Sequence, residues 1–299
     1  SQTALGERAR EQVLAAFRAV LPEWTEDSFP GFLPNLTAGR VANLLDLHGE
    51  NLIIDAACAS SLTALAHAVA LLRAGASDAV LVGGVDRGMG PFAYTAFSRT
   101  QALSPRDVSC PFDESADGIV LAEGAAAVLL KRLDDAVRDG DRIYAVIRGV
   151  GFSSDGREAS LTAPAKASIK LALQRAYDDA GLAPDTVELI EAHATSTSLG
   201  DRIELQALDE FVPATAGGPG RCAVGSVKSN LGHTKTVAGL AGLIKATLAL
   251  SQQVLPPTVN VRTPNPRGLA AGSHFYINTA LRPWIRRGDH PRRAGVSAF

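Results

Sequence analysis

A single cysteine among small residues is the first candidate for chemistry in this sequence. Cys58 lies in the stretch DAACASSL, Asp55–Leu62. Small neighbours would let a substrate carbonyl approach both the sulfur and the backbone N–H of Cys58, which is the geometry of a nucleophile with half of an oxyanion hole. The alternative is a buried structural cysteine, because free cysteine is among the most buried residue types. Cys110 and Cys222 lack such a setting, and for them we favour the structural interpretation.

Two histidines follow predicted strands in loops that are rich in small and polar residues. His193 lies in EAHATSTSLGD, Glu191–Asp201, and His233 ends KSNLGH, Lys228–His233. A lone loop histidine is more often a surface or hydrogen-bonding residue than a catalyst. That is our interpretation of the other four: His48, His67, His274 and His290. Two histidines in matching contexts favour a shared chemical role.

A metal site is a competing interpretation of these two histidines, but they lie 40 positions apart. No third His or Cys stands at ligand spacing, so Asp201 and Glu204 would have to complete the ligand set. The three cysteines show no CxxC spacing and are too few for a disulfide framework in a chain of 299 residues. We therefore expect no metal ion and no disulfide framework.

Short strands followed by helices must position these residues. Asn51–Ile54 is strand-like. Ala59–Arg73 is rich in Ala and Leu and is followed by Gly75, which predicts a helix, and Ala79–Val82 is the next predicted strand. Cys58 is thus expected at a strand-to-helix turn, where the first backbone N–H groups and the helix dipole favour a thiolate.

The same order of elements recurs around both histidines. Around His193 the predicted strand, loop and helix are Val187–Ala192, His193–Gly200 and Arg202–Phe211. Around His233 they are Ala223–Val227, Lys228–His233 and Thr236–Gln252. Strands that alternate with helices predict an α/β layered fold.

The composition of the chain limits the classes of function that it can have. With 46% hydrophobic and 20% charged residues, the chain can bury one large core or two fused ones. Its 29 basic and 31 acidic residues nearly balance, which argues against a role that depends on overall charge for nucleic acid or a membrane surface. The longest apolar stretches, such as Ala64–Leu72 and Val237–Leu250, fall short of the roughly 20 residues of a membrane span. We expect a cytoplasmic protein.

The two ends of the chain carry their own predictions. Apolar residues at helical spacing predict an amphipathic helix over Arg8–Leu21 that packs by one face. At the other end, GVSAF, Gly295–Phe299, has the composition of a strand interior. Since Met89 is the only methionine and Ser1 opens the chain, we expect both termini to be cuts in a longer polypeptide.

The three motifs together resemble a known family. Cys58 in DAACASSL, His193 in EAHATSTSLGD and Lys228 with His233 in KSNLGH resemble the Cys-His-His β-ketoacyl synthases, or ketosynthases, of fatty acid and polyketide synthases. The resemblance extends to CPFDESADGIVLAEG, Cys110–Gly124, and to GVSAF, and it covers nearly the whole chain from about Leu33. Within the family, LPNLTAGRVANLLD resembles iterative type I polyketide synthases of the enediyne or polyunsaturated-fatty-acid kind.

The resemblance implies a thiolase-like α/β fold with α/β/α/β/α layers, in which the N-terminal half is incomplete. It implies a single ketosynthase domain over residues 1–299. Residues 1–150 would form the remainder of the N-terminal half with the nucleophile, and residues 151–299 the C-terminal half with both catalytic histidines. A homodimer is also implied, with Asn51–Ile54 near the two-fold axis.

The resemblance further implies a decarboxylative Claisen condensation. Cys58 would carry the acyl chain, and His193 and His233 would hold the enolate formed from a malonyl thioester. The remaining roles are carried over by position: Lys228 and Glu204 as a supporting pair, Thr195 and Thr197 at the pantetheine arm, and Phe299 in a gate or oxyanion loop. No cofactor is expected to be bound. The implied partners are an acyl carrier protein, whose phosphopantetheine carries the substrates, and an acyltransferase and other synthase domains.

Two departures from the family and two alternatives accompany this interpretation. Ala194 stands where the family has Gly, and a methyl group would restrict a backbone that needs a positive φ. The chain also stops at Phe299, before the rest of the loop that supplies the second oxyanion donor, and loss of such a donor costs about 10²–10³ in rate.

The alternatives are a thiolase-fold relative with a Cys-His-Asn or Cys-His-Cys set, and a non-elongating acyl-transfer or scaffold domain. His233 argues against the first, because those relatives place a different residue there. Retention of both histidines argues against the second.

Overall fold

Helices and strands alternate along the residues that the computed structural model describes, which are 6–21, 23–26, 28–157, 164–213 and 218–299. In these residues the helices are α1 Glu7–Val20, α2 Leu36–Leu44, α3 Ser60–Arg73, α4 Pro91–Arg99, α5 Leu133–Arg138, α6 Lys166–Ala180, α7 Ser198–Phe211, α8 Lys228–Leu231 and α9 Ala238–Gln252. The strands are β1 Ala79–Asp86, β2 Gly124–Lys131, β3 Leu189–Glu191, β4 Cys222–Gly225, β5 Val254–Leu255, β6 Phe275–Ile277, β7 Arg282–Pro283 and β8 Ala294–Val296. None of the described helices is long and apolar enough to cross a membrane.

The chain divides into two compact units, Ser1–Ile53 and Ile54–Phe299. In the first unit the predicted helix forms as α1, but the prediction that it packs by one face is wrong. No described residue of α1 is buried, and Val13, Phe17 and Val20 are 59–77% exposed. The spacing of apolar residues specifies a face of a helix, but it does not supply the surface that covers that face.

A parallel four-stranded sheet lies at the centre of the second unit, in the order β6-β4-β3-β8. On one face, Ile190 and Val224 belong to a buried cluster with residues of α7. On the other face, Leu189 and Ala223 pack with Ala249 of α9. Burial on both faces is the usual state of a parallel sheet, and it explains the nearly continuous apolar runs of β3 and β4.

The helix α9 lies between this sheet and a second, antiparallel ladder of β1 and β2. Leu240 of α9 packs with Leu65 of α3 and Val82 of β1 in one buried cluster. The second unit therefore has layers, from α6 and α7 through the parallel sheet to α9 and α3, and then to the β1–β2 ladder. The helix after Cys58 and the helix after His233 thus share one layer.

Two local predictions are corrected by the structure. Asn51–Ile54 forms no strand among the described residues, and Leu52 and Ile53 are exposed. A strand needs a ladder partner, and its apolar composition does not provide one. Lys228–His233 is not wholly a loop, because Lys228–Leu231 forms the short helix α8.

Close packing between α3 and α9 depends on Gly239. A Cβ atom built there would lie 2.5 Å from Cγ of Leu62 and 3.0 Å from Oγ of Ser61. We expect Gly239→Ala to lower the free energy of unfolding by about 1–3 kcal/mol through overpacking, measured by urea denaturation. The matched control is Gly39→Ala in α2, where the nearest atoms lie at 3.6 Å. A Gly239→Ala variant as stable as that control would contradict the close contact between the two helices.

Candidate active site

Cys58 lies in a tight turn of 3-10 helix, Ala57–Ala59, that runs directly into α3. Ala57 has a positive φ of 50°. The turn is held by Asp55, whose Oδ1 accepts from the N–H of Ala57 at 3.0 Å, and by Ser60, whose O–H donates to the carbonyl of Ala57 at 2.6 Å. The sequence DAACASS therefore supplies both the small residues and the side-chain hydrogen bonds that hold this turn, and the turn places the sulfur at the start of α3.

The environment of Cys58 does not favour a resting thiolate, contrary to the expectation from the helix N-terminus. Burial raises the pKa of the thiol above its ordinary value, and Lys228 opposes that shift. Asp86 adds to the increase, while the ammonium group of Lys235 lowers it. The thiol is the resting form, because the cost of desolvating the anion exceeds the attraction of the two lysines.

The backbone of the His193 loop is held by Glu204 from α7. The two carboxylate oxygens of Glu204 accept from the N–H groups of His193 and Ala194, each at 2.8 Å. Ala194 has a positive φ of 20°. Burial raises the pKa of Glu204 to about 7, although both of its backbone hydrogen bonds favour the charged form.

Lys228 is fully buried and donates from Nζ to the backbone carbonyl of His193. Its ammonium group acts electrostatically on Cys58 and on both histidines. Burial lowers the pKa of Lys228, and Glu191 and Glu204 oppose that shift. The lysine thus links the end of β3 to α8 and supplies the positive charge of the site.

His233 is fixed both through its backbone and through its ring. Its N–H donates to the carbonyl of Val120 at 2.7 Å, and its carbonyl accepts from Ala122 at 3.0 Å. The N–H of Lys235 donates to Nδ1 of the ring at 3.1 Å. A neutral imidazole has one N–H and one acceptor nitrogen, so this bond places the ring proton on Nε2.

The two histidines meet edge to face, with ring centroids 5.5 Å apart and an interplanar angle of 82°. The ring of Phe299 lies 4.7 Å from that of His193 on another side. The structure therefore brings together His193, His233, Lys228 and Phe299, and it places Cys58 within electrostatic range of the same lysine. Direct reach of the thiol to the two rings stays a prediction.

Both imidazoles are neutral near pH 7. Burial lowers the pKa of His193 well below its ordinary value, and Lys228 and His233 lower it further. Burial, followed by the charges of Lys228 and Lys235, lowers the pKa of His233 to about 3. Nδ1 of His193 is buried without a hydrogen-bond partner in the described residues. A neutral imidazole keeps one N–H group, and it can donate a hydrogen bond from that group to a developing oxyanion.

Thr195 and Thr197 lie in the same loop as His193, and their hydroxyl oxygens are 3.1 Å apart. The block Cys110–Gly124 packs against this loop: the N–H of Cys110 donates to Oγ of Ser196 at 3.0 Å, and the N–H of Gly118 donates to its carbonyl at 2.8 Å. The motif that lies between the cysteine and the first histidine in the sequence therefore supports the histidine loop in space.

Two buried carboxyl groups near the site have no catalytic role that the sequence indicated. Glu191 is 1% exposed, accepts from the N–H of Val227 and pairs with Lys245 at 2.7 Å. Asp201, a candidate in the sequence only as a metal ligand, accepts from the N–H of Phe112 at 2.9 Å. The signal for Glu191 was a charged residue inside the apolar strand VELIEA, since such a residue needs a buried partner. The described residues contain no group of three His, Cys, Asp or Glu side chains that could hold a metal ion.

Two family models match this chain, and they describe the two halves of one domain. The Beta-ketoacyl synthase, N-terminal domain, matches residues 5–136, and the Beta-ketoacyl synthase, C-terminal domain, matches residues 144–262. The chain belongs to the β-ketoacyl synthase family. The resemblance inferred from the motifs is confirmed.

The curated relatives of this β-ketoacyl synthase chain are much longer proteins. A polyunsaturated fatty acid synthase subunit of Thraustochytrium sp. is 47% identical over 292 residues, which is 95% of this chain and 10% of the relative. A phenolphthiocerol/phthiocerol polyketide synthase subunit of Mycobacterium tuberculosis is 44% identical over 266 residues, which is 89% of this chain and 17% of the relative. The chain therefore spans a small part of these synthase subunits.

Solved ketosynthases share the fold. The ketosynthase from module 6 of the bacillaene synthase of Bacillus subtilis 168 aligns with a TM-score of 0.87 and 38% identity, over 93% of this chain and 51% of that chain. The oxazolomycin ketosynthase domain of Streptomyces albus JA3453 aligns with a TM-score of 0.88 and 34% identity, over 96% and 49%. The predicted thiolase-like fold is confirmed, and the chain spans about half the length of these ketosynthases. The division of the domain into halves near residue 150 stays a prediction.

The buried carboxyl group of Asp201 should make the stability of this chain depend on pH. Burial raises its pKa from 3.8 to about 7. The protonated side chain therefore stabilises the fold fully below the unfolded pKa, and this contribution is lost as the pH rises through the folded pKa. We therefore measure the free energy of unfolding of Asp201→Asn relative to that of the parent by urea denaturation. Between about pH 5 and about pH 7, we expect this difference to rise by up to about 1.4 kcal/mol per pH unit, because the parent loses stability.

The control for this measurement is Asp185→Asn, because Asp185 is exposed in the turn before β3. The stability of Asp201→Asn is compared with that of Asp185→Asn at each pH. A difference between the two variants that does not change with pH would show that Asp201 is ionised throughout, and the raised pKa of Asp201 would be wrong.

Proposed function

We propose that this chain carries the ketosynthase activity of a larger synthase. It would transfer an acyl group to Cys58 and condense that group with a malonyl thioester carried by an acyl carrier protein. The observation that carries the proposal is the edge-to-face pair of neutral histidines beside buried Lys228, with Cys58 at the N-terminus of α3. Its support from comparison is the similarity to ketosynthases over more than nine-tenths of the chain.

The first half-reaction is acyl transfer. The sulfur of Cys58 forms a new thioester bond to the acyl carbonyl as the carbonyl–sulfur bond to pantetheine breaks, and the thiol proton passes to the departing sulfur. Because burial raises the pKa of Cys58, this proton has to move during the transfer. The backbone N–H of Cys58, at the start of a helical turn, is available to the oxygen of the tetrahedral intermediate.

The second half-reaction is decarboxylative condensation. The malonyl carboxylate leaves as CO₂, and its electron pair forms an enolate whose oxygen accepts hydrogen bonds from His193 and His233. The enolate carbon then attacks the acyl carbonyl, and Cys58 leaves as the thiolate that takes up a proton. His233 can donate because its proton is on Nε2, and the neutral state of both rings keeps them as donors throughout.

Supporting roles follow the observed contacts. Glu204 and Lys228 hold the main chain of His193 from opposite sides, through its N–H and its carbonyl. We assign Thr195 and Thr197 to the pantetheine arm, since their paired hydroxyl groups lie in the same loop. Phe299, packed on His193, is the assigned gate to the site.

We propose that the chain is part of a multidomain synthase that makes polyunsaturated fatty acids or polyketides. Its support is the 47% identity to part of a polyunsaturated fatty acid synthase and the 44% identity to part of a polyketide synthase. The proposed partners are the acyl carrier protein that presents both thioesters, the acyltransferase and the other domains of such a synthase. A second copy of the chain would complete a homodimer.

Acylation and decarboxylation should be separable by mutation. Cys58→Ala removes the nucleophile but leaves both histidines, so malonyl decarboxylation should continue without an acyl-enzyme. His233→Ala leaves Cys58, so self-acylation should persist while condensation falls by about 10²–10³. The measurements are CO₂ release from a malonyl-carrier thioester and intact mass after incubation with an acyl-carrier thioester, both on the full-length protein.

The matched controls are Cys222→Ala in β4 and His290→Ala near the C-terminus. Neither residue has an assigned role, so both variants should acylate and condense. Acylation of Cys58→Ala at the same stoichiometry as the parent would refute the assigned nucleophile. Acylation of the parent without any condensation would favour the non-elongating acyl-transfer domain.

The proposed dimer predicts that light scattering gives the full-length protein a mass of twice that of one full-length chain. Its support is the exposure of Leu52 and Ile53, at 39% and 47%, in the segment assigned to the two-fold axis. Ile53→Asp should shift the protein towards the monomer, because it places a charge in an apolar interface. Val137→Asp, at an exposed apolar position of α5, should leave the dimer intact. A parent protein that stays monomeric would contradict the assignment.

A further inference from the structure

Lys235 has a backbone conformation that is unfavourable for a residue with a side chain. Its φ is +52°, in the left-handed region that glycine and asparagine adopt far more readily than lysine. Residues held in this region persist where the surroundings fix them, and they occur often at functional sites. Lys235 is also the residue whose N–H donates to Nδ1 of His233.

The side chain of Lys235 is anchored beside that backbone. Its ammonium group donates to the carbonyl of Ala122 at 2.9 Å and pairs with Oδ1 of Asp86 at 3.0 Å. The two charged side chains are only 12% and 14% exposed. Asp86 itself is held by the N–H of Gly88 at 3.0 Å, and its other oxygen lies 3.3 Å from the hydroxyl of Thr236.

A largely buried ion pair is a costly way to stabilise a protein, because both charges lose water. Such a pair is well suited to fix one geometry, because each partner is satisfied only when both are in place. Here the pair joins the end of β1 to the segment after His233, and that segment packs against the turn that carries Cys58. The pair is therefore attached to a segment that contacts both the ring of His233 and the turn of Cys58.

We propose that Lys235 and Asp86 are positioning residues for His233. Their ion pair and the bond to Ala122 hold the backbone of Lys235 in the left-handed conformation, so that its N–H stays on Nδ1 of His233. The ring proton is then kept on Nε2, which is the donor that an enolate needs. The inference rests on the proposed ketosynthase function only for its effect on rate, since the tautomer of His233 is a property of the chain itself.

The test is the tautomer of His233, read from long-range ¹H–¹⁵N spectra of the full chain labelled with ¹⁵N-histidine. The His233 signals are assigned by their absence from the spectrum of His233→Ala. We expect the Nε2–H tautomer in the parent and a mixture with the Nδ1–H tautomer in Lys235→Met. Malonyl decarboxylation by Lys235→Met should fall by about 10-fold to 10²-fold, in kcat rather than in KM.

Two further variants separate positioning from general loss of structure. Lys235→Gly removes the anchor but adopts a positive φ readily, so it should retain more of the Nε2–H tautomer than Lys235→Met does. Asp86→Asn has nearly the same shape as the parent side chain and should give an intermediate shift of tautomer even if Lys235→Met fails to fold. The matched control is Gln253→Met, because Gln253 also has a left-handed φ, of +58°, just after the end of α9. This variant should change neither the tautomer of His233 nor the rate of malonyl decarboxylation.

The outcomes distinguish this inference from the proposed function. Parent spectra and rates in both Lys235→Met and Asp86→Asn would overturn the positioning role. A tautomer shift in those variants, together with no decarboxylation by the parent, would sustain the positioning role and overturn the ketosynthase proposal. Full recovery of rate and tautomer by Lys235→Gly would show that the conformation, and not the ammonium charge, is what His233 requires.

Discussion

The buried ammonium group of Lys228 is the charge on which the arrangement of the candidate site depends. It is bonded to the carbonyl of His193, and its field reaches the Cys58 thiol and both imidazoles. A cation at this position opposes protonation of the histidines and favours negative charge on sulfur or on a bound enolate. The buried carboxyl groups around it compensate for its desolvation, which is why Glu204 and Glu191 raise its pKa while burial lowers it.

Parallel strands bring these groups to one edge of the sheet. The ends of β3, β4 and β8 all point the same way, so the residues that follow them, among them His193, Lys228 and Phe299, come together although they are far apart in sequence. This is the general reason why open α/β sheets place their sites beyond the carboxyl ends of the strands. The helices α3 and α9 share a layer, and the turn of Cys58 packs against the segment after His233.

Local sequence determined much of this arrangement. The motifs around Cys58, His193 and His233 identify the family. The helix after each of these residues and the strands β3 and β4 form within a few residues of their predicted bounds. The strand expected before Cys58 is absent, and part of Lys228–His233 is helical. DAACASSL also contains the side chains that hold its own turn, since Asp55 and Ser60 both bond to the backbone of Ala57. Interactions between residues two to four positions apart can be inferred from the sequence because the chain itself fixes their distance.

Only the tertiary structure decided the electrostatics and the partners. The motif suggested a stabilised thiolate at Cys58, but burial by distant segments raises its pKa, and no local pattern measures that burial. The predicted strand Asn51–Ile54 is absent because a strand depends on a partner from elsewhere in the chain. The link from Asp86 through Lys235 to His233 spans nearly 150 positions. From the sequence, Asp86 at the end of the apolar strand β1 indicates only that the carboxylate needs a partner, and not that the partner is Lys235. Sequence spacing fixes local geometry, whereas desolvation and ion pairing depend on which remote segments the fold brings together.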